Sequence, residues 1–203
     1  METHVSESIE IAAPPSVVYT AVTNVADMGR WSPECTGADV KDNGLQEVRP
    51  GMKFTGHNRS AKRPWSTQCT VIAAEPGERF AFLARGLGLR VAIWTYRFEP
   101  LDFGQATKAT ETWIDQRGWF MHFISPKVSG IRDRATHNRQ TMKITLQRLK
   151  RTLEKEHPSP EAVRGDTGPV GPDHSRAASG RRLDGVDHER TEGHHSAPGR
   201  AGH

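Results

Sequence analysis

The fold is decided by residues 4–35, HVSESIEIAAPPSVVYTAVTNVADMGRWSPEC, which predict one strand followed by two short helices. Apolar and polar side chains alternate from residue 4 to residue 12, as they do in a half-buried strand. The Pro14-Pro15 pair then starts a helix, because proline is tolerated in the first helical turn. A second short helix is predicted from Val25 to about Arg30.

Six further strands are predicted between residues 36 and 115, where turn signals rich in glycine and proline recur at short intervals. Their expected positions are 36–41, 52–60, 65–75, 79–85, 90–99 and 106–115. The connections are too short to contain crossover helices, so the strands should form an antiparallel meander.

A long helix is predicted from about Ser129 to Glu156. Mostly apolar residues recur every three or four positions in this segment, which is the spacing of a helix that packs on one side. The residues of that face are Ile131, Ala135, Asn138, Met142, Leu146, Leu149 and Leu153. The predicted order is therefore strand, two helices, six strands and a long helix.

Residues 157–203 differ in composition from the rest of the chain. Large apolar residues are isolated there among Gly, Pro, Ser, Arg, Asp and His. Such a segment cannot bury enough apolar surface to offset the entropy lost on ordering, so it is predicted to be disordered. The folded domain is then expected at residues 1–156, with a single hydrophobic core.

Charge and cysteine content argue against several classes of function. The chain has 28 basic and 24 acidic residues, and the basic excess between Arg132 and Lys155 is interpreted as the solvated face of a helix. Cys35 and Cys69 lack the spacing of a zinc site or a disulfide framework, so neither a metal nor a cofactor is predicted. No stretch approaches the roughly 18 apolar residues of a membrane span, and no signal peptide is seen, so a cytoplasmic location is expected.

Five motifs share their residues and order with a known family. They are SIEIAAPPSVVYTAVTNVADMGRWSPEC at 8–35, CTVIAAEPGERFAF at 69–82, TYRFEP at 95–100, ATETW at 109–113 and TLQRLKRTLE at 145–154. With the order of elements, they resemble the START-like (SRPBCC) superfamily, and within it the polyketide cyclase/dehydrase family. The resemblance covers residues 3–156.

This resemblance implies an α+β helix-grip fold, in which a seven-stranded curved antiparallel sheet wraps around the long C-terminal helix. It also implies a pocket for a hydrophobic small molecule between the concave face of the sheet and the N-terminal half of that helix. Residues 1–156 would then be a START-like ligand-binding domain. The resemblance supplies no catalytic residue, because the family offers no short motif that can be matched here.

Strand alternation selects the side chains that should face this pocket. In the strand at 90–99 the aromatic face should point inward, because the opposite choice would bury Arg97. The same alternation places Glu111 and Trp113 together on an inward face. The predicted ligand-binding residues are Trp31, Trp65, Cys69, Phe82, Trp94, Tyr96, Glu111, Trp113, His122, Asn138 and Met142.

The polar members of this set have alternative interpretations. Glu111 could bind a ligand hydroxyl or act as an acid or base, or it could make a structural bond to a nearby side chain or backbone amide. Asn138 could orient a ligand carbonyl or satisfy a loop backbone group. The apolar loop predicted at 118–124, GWFMHFI, could be a lid that carries His122, a plug that closes the core, or a membrane-dipping loop.

Two functions therefore remain open. The first is a binding module or carrier for a polyketide-, lipid- or aromatic-like molecule. The second is an enzyme that catalyses cyclisation, aromatisation or dehydration with polar pocket residues as acid and base. Binding is favoured because no acid-base pair with recognisable spacing is visible. Neither a nucleic-acid partner nor a membrane span is predicted, the protein is expected to be a monomer or a homodimer, and His57 and His137 are interpreted as surface residues.

Overall fold

The computed structural model of the protein describes residues 2–40 and 48–158. In chain order the elements are β1 (His4–Ile11), α1 (Pro15–Thr23), a 3-10 helix (Val25–Arg30), β2 (Cys35–Val40), β3 (Lys53–Ser60), β4 (Arg63–Glu75), β5 (Arg79–Gly86), β6 (Leu89–Leu101), a 3-10 turn (Asp102–Gly104), β7 (Ala106–Asp115), α2 (Trp119–Ser129) and α3 (Arg134–Glu156). All seven predicted strands are present. The segment that was predicted to be disordered lies outside the described residues from residue 159 onward.

The seven strands form one antiparallel sheet in the order β1-β7-β6-β5-β4-β3-β2. Strand β1 pairs with β7, whereas the other neighbours follow one another along the chain, so the predicted meander is confirmed. The register shifts in β4 between Val71 and Ala73, and in β5 between Ala84 and Arg85. Such bulges bend the strands and increase the twist, which gives the sheet a concave face.

The concave face carries the side chains that alternation predicted. Glu111 of β7 pairs with Tyr96 of β6, and Trp113 pairs with Trp94. Directly paired residues of an antiparallel sheet project from the same face, so these side chains form two adjacent rows across the sheet. Glu111, Tyr96 and Trp113 are buried.

Helix α3 lies against this concave face. Its buried residues include Ala135, Asn138, Met142, Leu146, Leu149 and Leu153, which are on the predicted apolar face. The curved sheet around a long C-terminal helix confirms the α+β helix-grip fold that the sequence indicates.

The expected start of α3 at Ser129 is wrong. Helix α2 ends at Ser129, and Gly130 follows it with φ of 77°, a left-handed conformation that glycine adopts without strain. Asp133 then caps α3, because its carboxylate accepts a hydrogen bond from the backbone N–H of Thr136 at 3.1 Å. The predicted long helix therefore corresponds to α3, which begins at Arg134.

Residues 118–124 do not form the predicted loop, since α2 begins at Trp119. This correction has a physical reason. Pro126 lies inside the helix, where proline removes a backbone hydrogen bond, and the large side chains of Trp119 and Phe123 are exposed rather than packed on a core. The segment therefore lacks the one-sided apolar pattern by which helices are recognised in a sequence.

The end of the sheet away from α2 is closed by α1 and the 3-10 helix Val25–Arg30. Val18 and Val22 of α1 join Phe80 and Phe98 of the sheet in the main apolar core. No helix among residues 2–40 and 48–158 is long and apolar enough to cross a membrane.

Candidate functional site

The sheet and α3 enclose a cavity of about 110 Å³. Strands β3 to β7 supply an apolar wall that includes Phe54, Cys69, Phe82, Ala84, Trp94 and Trp113. Polar groups are fewer and lie mainly towards the end of the sheet from which α2 and α3 start. A concave, mostly apolar surface with a few polar groups is typical of small-molecule sites.

Six of the predicted site residues line this cavity. They are Trp65, Cys69, Phe82, Trp94, Trp113 and Asn138. The strand residues reach it because each lies on the inward face that period-two alternation selects. Asn138 reaches it from the N-terminal half of α3.

The other five predicted residues lie outside the lining. They are Trp31, Tyr96, Glu111, His122 and Met142. Trp31 packs in the main core, and Met142 lies about one helical turn beyond Asn138. His122 belongs to α2, where its Nε2 atom lies 3.8 Å from the carboxylate of Asp115.

Asn138 is the most unusual polar residue of the cavity. Its side chain is only 1% exposed, and neither Oδ1 nor Nδ2 has a hydrogen-bond partner among the described residues. Leaving a buried polar group unsatisfied costs about 1 to 3 kcal/mol. The amide therefore presents a free acceptor and a free donor to whatever occupies the cavity.

Glu111 and Tyr96 form a buried pair beside the cavity. The Tyr96 hydroxyl donates to Oε1 of Glu111 at 2.7 Å, whereas Oε2 has no partner among the described residues. Burial raises the pKa of Glu111 to about 8, although the bond from Tyr96 opposes the shift. The carboxyl group is therefore neutral at pH 7. Its hydrogen bond to Tyr96 fits the interpretation in which Glu111 makes a structural bond to a nearby side chain.

A second polar cluster lies at the mouth of the cavity. Glu34 binds Arg134 at 2.8 and 3.1 Å, and it binds Nε2 of His137 at 2.6 Å. The Arg134 guanidinium also lies over the ring of Trp65 at 5.6 Å. Burial alone would raise the pKa of Glu34, but the His137 bond and the charge of Arg134 together hold it below its ordinary value.

Sequence reasoning missed this cluster. His137 was assigned to the surface, but it is partly buried and bound to Glu34. Arg134 and His137 are three residues apart on α3 and therefore share a face, which is a signal that the sequence does carry. Glu34 gave no signal, because it precedes a short strand in an irregular segment.

The third charged group at the mouth, Arg117, is also neutralised. Its guanidinium binds Asp115 through two hydrogen bonds of 2.8 and 2.6 Å, and Nη1 donates to Ser125 at 2.7 Å. Of the charged residues that line the cavity, Glu34, Arg117 and Arg134 thus all have an opposite charge as partner. This favours a neutral ligand over an anionic one.

The two cysteines on the cavity wall are poor nucleophiles. Burial raises the pKa of the Cys69 thiol to about 11 and also raises that of Cys35. Because the thiolate is the reactive form, both residues behave as apolar wall at neutral pH.

The fold and the cavity define a class of protein, an α+β domain whose curved sheet encloses an apolar cavity against a long C-terminal helix. The chain belongs to the family described as polyketide cyclase / dehydrase and lipid transport, Polyketide_cyc2, whose sequence profile matches residues 2–154. The resemblance to the polyketide cyclase/dehydrase family is thereby confirmed.

Solved structures agree with this assignment. A polyketide-cyclase-like protein from Corynebacterium glutamicum is 30% identical, with a TM-score of 0.53 over 76% of this chain and 93% of that protein. A START superfamily protein from Mycobacterium smegmatis is 12% identical, with a TM-score of 0.53 over 76% of this chain and 97% of that protein, and this likeness shows the fold alone. No curated protein matches the chain at a significant level.

Proposed function

We propose that the protein binds a small, neutral, hydrophobic molecule in the cavity between the sheet and α3, and that Asn138 binds its polar group. The supporting observation is the Asn138 amide, which is buried in a mostly apolar cavity with both polar atoms unsatisfied. A ligand with one carbonyl or hydroxyl group would satisfy an atom that the protein leaves without a partner.

The size of the cavity limits the ligand. Drug-sized ligands occupy sites of about 300 to 1,000 Å³, whereas this cavity measures about 110 Å³. An apolar cavity of about 150 Å³ can hold benzene. The ligand that fits without movement of α2 or α3 is therefore about the size of a single small ring, with any substituent extending towards the open mouth of the cavity.

The chemistry of the lining supports binding more than catalysis. Glu111 has the raised pKa of a candidate acid or base, but it lies outside the lining and is bound to Tyr96. Glu34 is held ionised by Arg134 and His137, and the cysteine thiols are protonated. A general acid or base must lie within hydrogen-bonding reach of the reacting atom, and Asn138 cannot transfer a proton.

Replacing Asn138 with leucine tests this role. The probes are acetophenone and ethylbenzene, which have similar shapes and differ in a carbonyl group. We expect Asn138→Leu to weaken acetophenone binding about three- to tenfold, which is the value of one net hydrogen bond, and to leave ethylbenzene binding unchanged or tighter. Titration calorimetry measures both affinities.

Met142→Leu is the matched control, because Met142 is equally buried on the same helix but lies outside the lining. This exchange preserves volume and should change neither affinity. If Asn138→Leu affects both probes equally, or acetophenone not at all, the polar contact lies elsewhere and the role of Asn138 is rejected.

A further inference from the structure

Helix α2 exposes an apolar face that no described residue covers. Trp119 is 84% exposed and Phe123 is 65% exposed, and Phe120 and Val128 are also exposed. Only Met121 and Ser129 of this helix are buried. Exposed apolar clusters on a soluble domain are typical of interaction surfaces.

The turn between β5 and β6 extends this face. Leu87 is 78% exposed and Leu89 is also exposed. The turn lies beside α2, because a Cβ on Gly86 would meet Cε of Met121 at 3.8 Å and the backbone N–H of Gln116 donates to the carbonyl of Val91 at 3.0 Å. We call Leu87, Leu89, Trp119, Phe120 and Phe123 the apolar end surface.

Positive charge surrounds the apolar end surface. Three segments at this end of the sheet, 59–70, 85–91 and 116–132, contain no acidic residue, although Glu2, Glu34, Asp115 and Asp133 lie beside them. They contain eight basic residues, namely Arg59, Lys62, Arg63, Arg85, Arg90, Arg117, Lys127 and Arg132. Arg117 is bound to Asp115, Glu34 to Arg134 and His137, and Glu2 to Arg139. This leaves seven basic residues at this end of the sheet, with Asp133 beside Arg132.

Two of these basic residues connect the segments directly. Arg63 donates from Nη1 to the carbonyl of Lys127 at 2.7 Å, which ties the β3–β4 turn to α2. The Nζ atom of Lys127 lies 4.1 Å from the ring centre of Phe123. Apolar and cationic groups therefore share one surface, as they do on helices that lie in a membrane interface.

We propose that the apolar end surface docks on anionic phospholipid bilayers. Trp119, Phe120 and Phe123 would enter the headgroup region, where amphipathic aromatic rings are favoured, and the surrounding lysines and arginines would face lipid phosphates. A second copy of the chain fits this surface poorly, because pairing it with itself would bring seven basic residues of each copy together and only Asp133 would oppose them. Single-stranded nucleic acid could stack on Trp119, Phe120 and Phe123 but would leave Leu87 and Leu89 without apolar partners, whereas a bilayer accommodates both kinds of side chain.

The apolar end surface lies at the same end of the domain as the mouth of the cavity. Trp65, Arg117, Ser125 and Arg134 line the cavity and belong to the same end of the sheet or to α2 and the start of α3. A docked domain would therefore bring the mouth of its cavity to the bilayer, from which a hydrophobic molecule could enter. This inference goes beyond the ligand site and does not depend on it.

Flotation of the full chain with vesicles tests docking. We expect binding to phosphatidylcholine vesicles that contain phosphatidylglycerol, weak binding to pure phosphatidylcholine, and a loss of binding as salt is raised. The double variant Trp119→Ser/Phe123→Ser should lower partitioning by about tenfold or more. Phe103→Ser is the control, because Phe103 is fully exposed in the β6–β7 turn at the opposite end of the sheet.

A charge-reversal pair tests the electrostatic contribution separately. Lys62→Glu/Lys127→Glu should lower partitioning by about tenfold or more, whereas Arg151→Glu/Lys155→Glu, near the C-terminus of α3, should not. All four altered side chains are exposed. Both variants should therefore fold, and their thermal unfolding midpoints should stay close to that of the wild-type protein.

Several results would overturn the proposal. They are no binding to either vesicle, equal losses in the test and control variants, a dimer that the Trp119→Ser/Phe123→Ser variant abolishes, or single-stranded DNA that binds through this surface while vesicles do not. Because no aromatic probe is present in these assays, their failure would leave the cavity proposal standing.

Discussion

Leu149→Ala is expected to lower the free energy of unfolding by about 2 to 5 kcal/mol, which is the usual cost of truncating a buried leucine. Leu149 is fully buried near the middle of α3 and belongs to the main core. Removing its side chain leaves a cavity that the strands of a paired sheet cannot readily close. Urea denaturation of the two proteins measures the difference.

Arg148→Ala is the control, because Arg148 precedes Leu149 on the helix but is exposed. Alanine and arginine have similar helix propensities, so this change should stay within about 0.5 kcal/mol. A loss below about 1 kcal/mol for Leu149→Ala would mean that α3 packs another face against the sheet.

Glu111→Gln is expected to stabilise the protein progressively as the pH rises. Burial raises the pKa of Glu111 to about 8 in the folded protein, whereas the unfolded chain has the ordinary value of about 4.3. Between these values the folded state binds more protons than the unfolded state, so the wild-type protein loses stability as the pH rises. Glutamine stays neutral and can still accept the bond from Tyr96.

The difference between the two proteins should therefore be small at about pH 5 and should reach about 2 to 5 kcal/mol at about pH 9. Urea denaturation at both pH values measures it. The lowered pKa values of Glu34 and Asp115 affect stability at acid pH and are common to both proteins, so they cancel in the comparison. A difference that does not change with pH would show that Glu111 is ionised in the folded protein.

The sheet could be predicted from the sequence because its signals are local. Turn residues mark the ends of the strands, and alternation identifies which side chains are buried. Ala109, Glu111 and Trp113 illustrate this, since all three are buried as alternation requires. Glu111 can be buried in this register because Tyr96, its partner on β6, donates a hydrogen bond to the carboxyl group.

The helices near the cavity mouth were harder to predict. Helix α2 has its apolar residues exposed and a proline inside it, so it lacks the usual pattern. The start of α3 was placed too early, because it depends on Gly130 and on the Asp133 cap, which are single-residue signals.

The strand residues that line the cavity could be predicted from alternation, whereas the charged pairs at its mouth, which are distant in sequence, could not. Trp94 and Trp113 follow from periodicity alone. Glu34 and His137 are 103 residues apart in sequence, and Glu34 and Arg134 are 100 residues apart. Such pairs depend on the arrangement of whole elements, which no local pattern contains.

The chain itself offers a direct test of the cavity as the ligand site, because it has five tryptophans. Trp65, Trp94 and Trp113 line the cavity, whereas Trp31 packs in the core and Trp119 is exposed on α2. Each indole N–H gives its own resonance in a ¹H–¹⁵N spectrum. During titration with acetophenone, our account predicts that the signals of the first three shift together and saturate while the other two stay in place. Shifts of Trp31 or Trp119, with the other three unchanged, would contradict it.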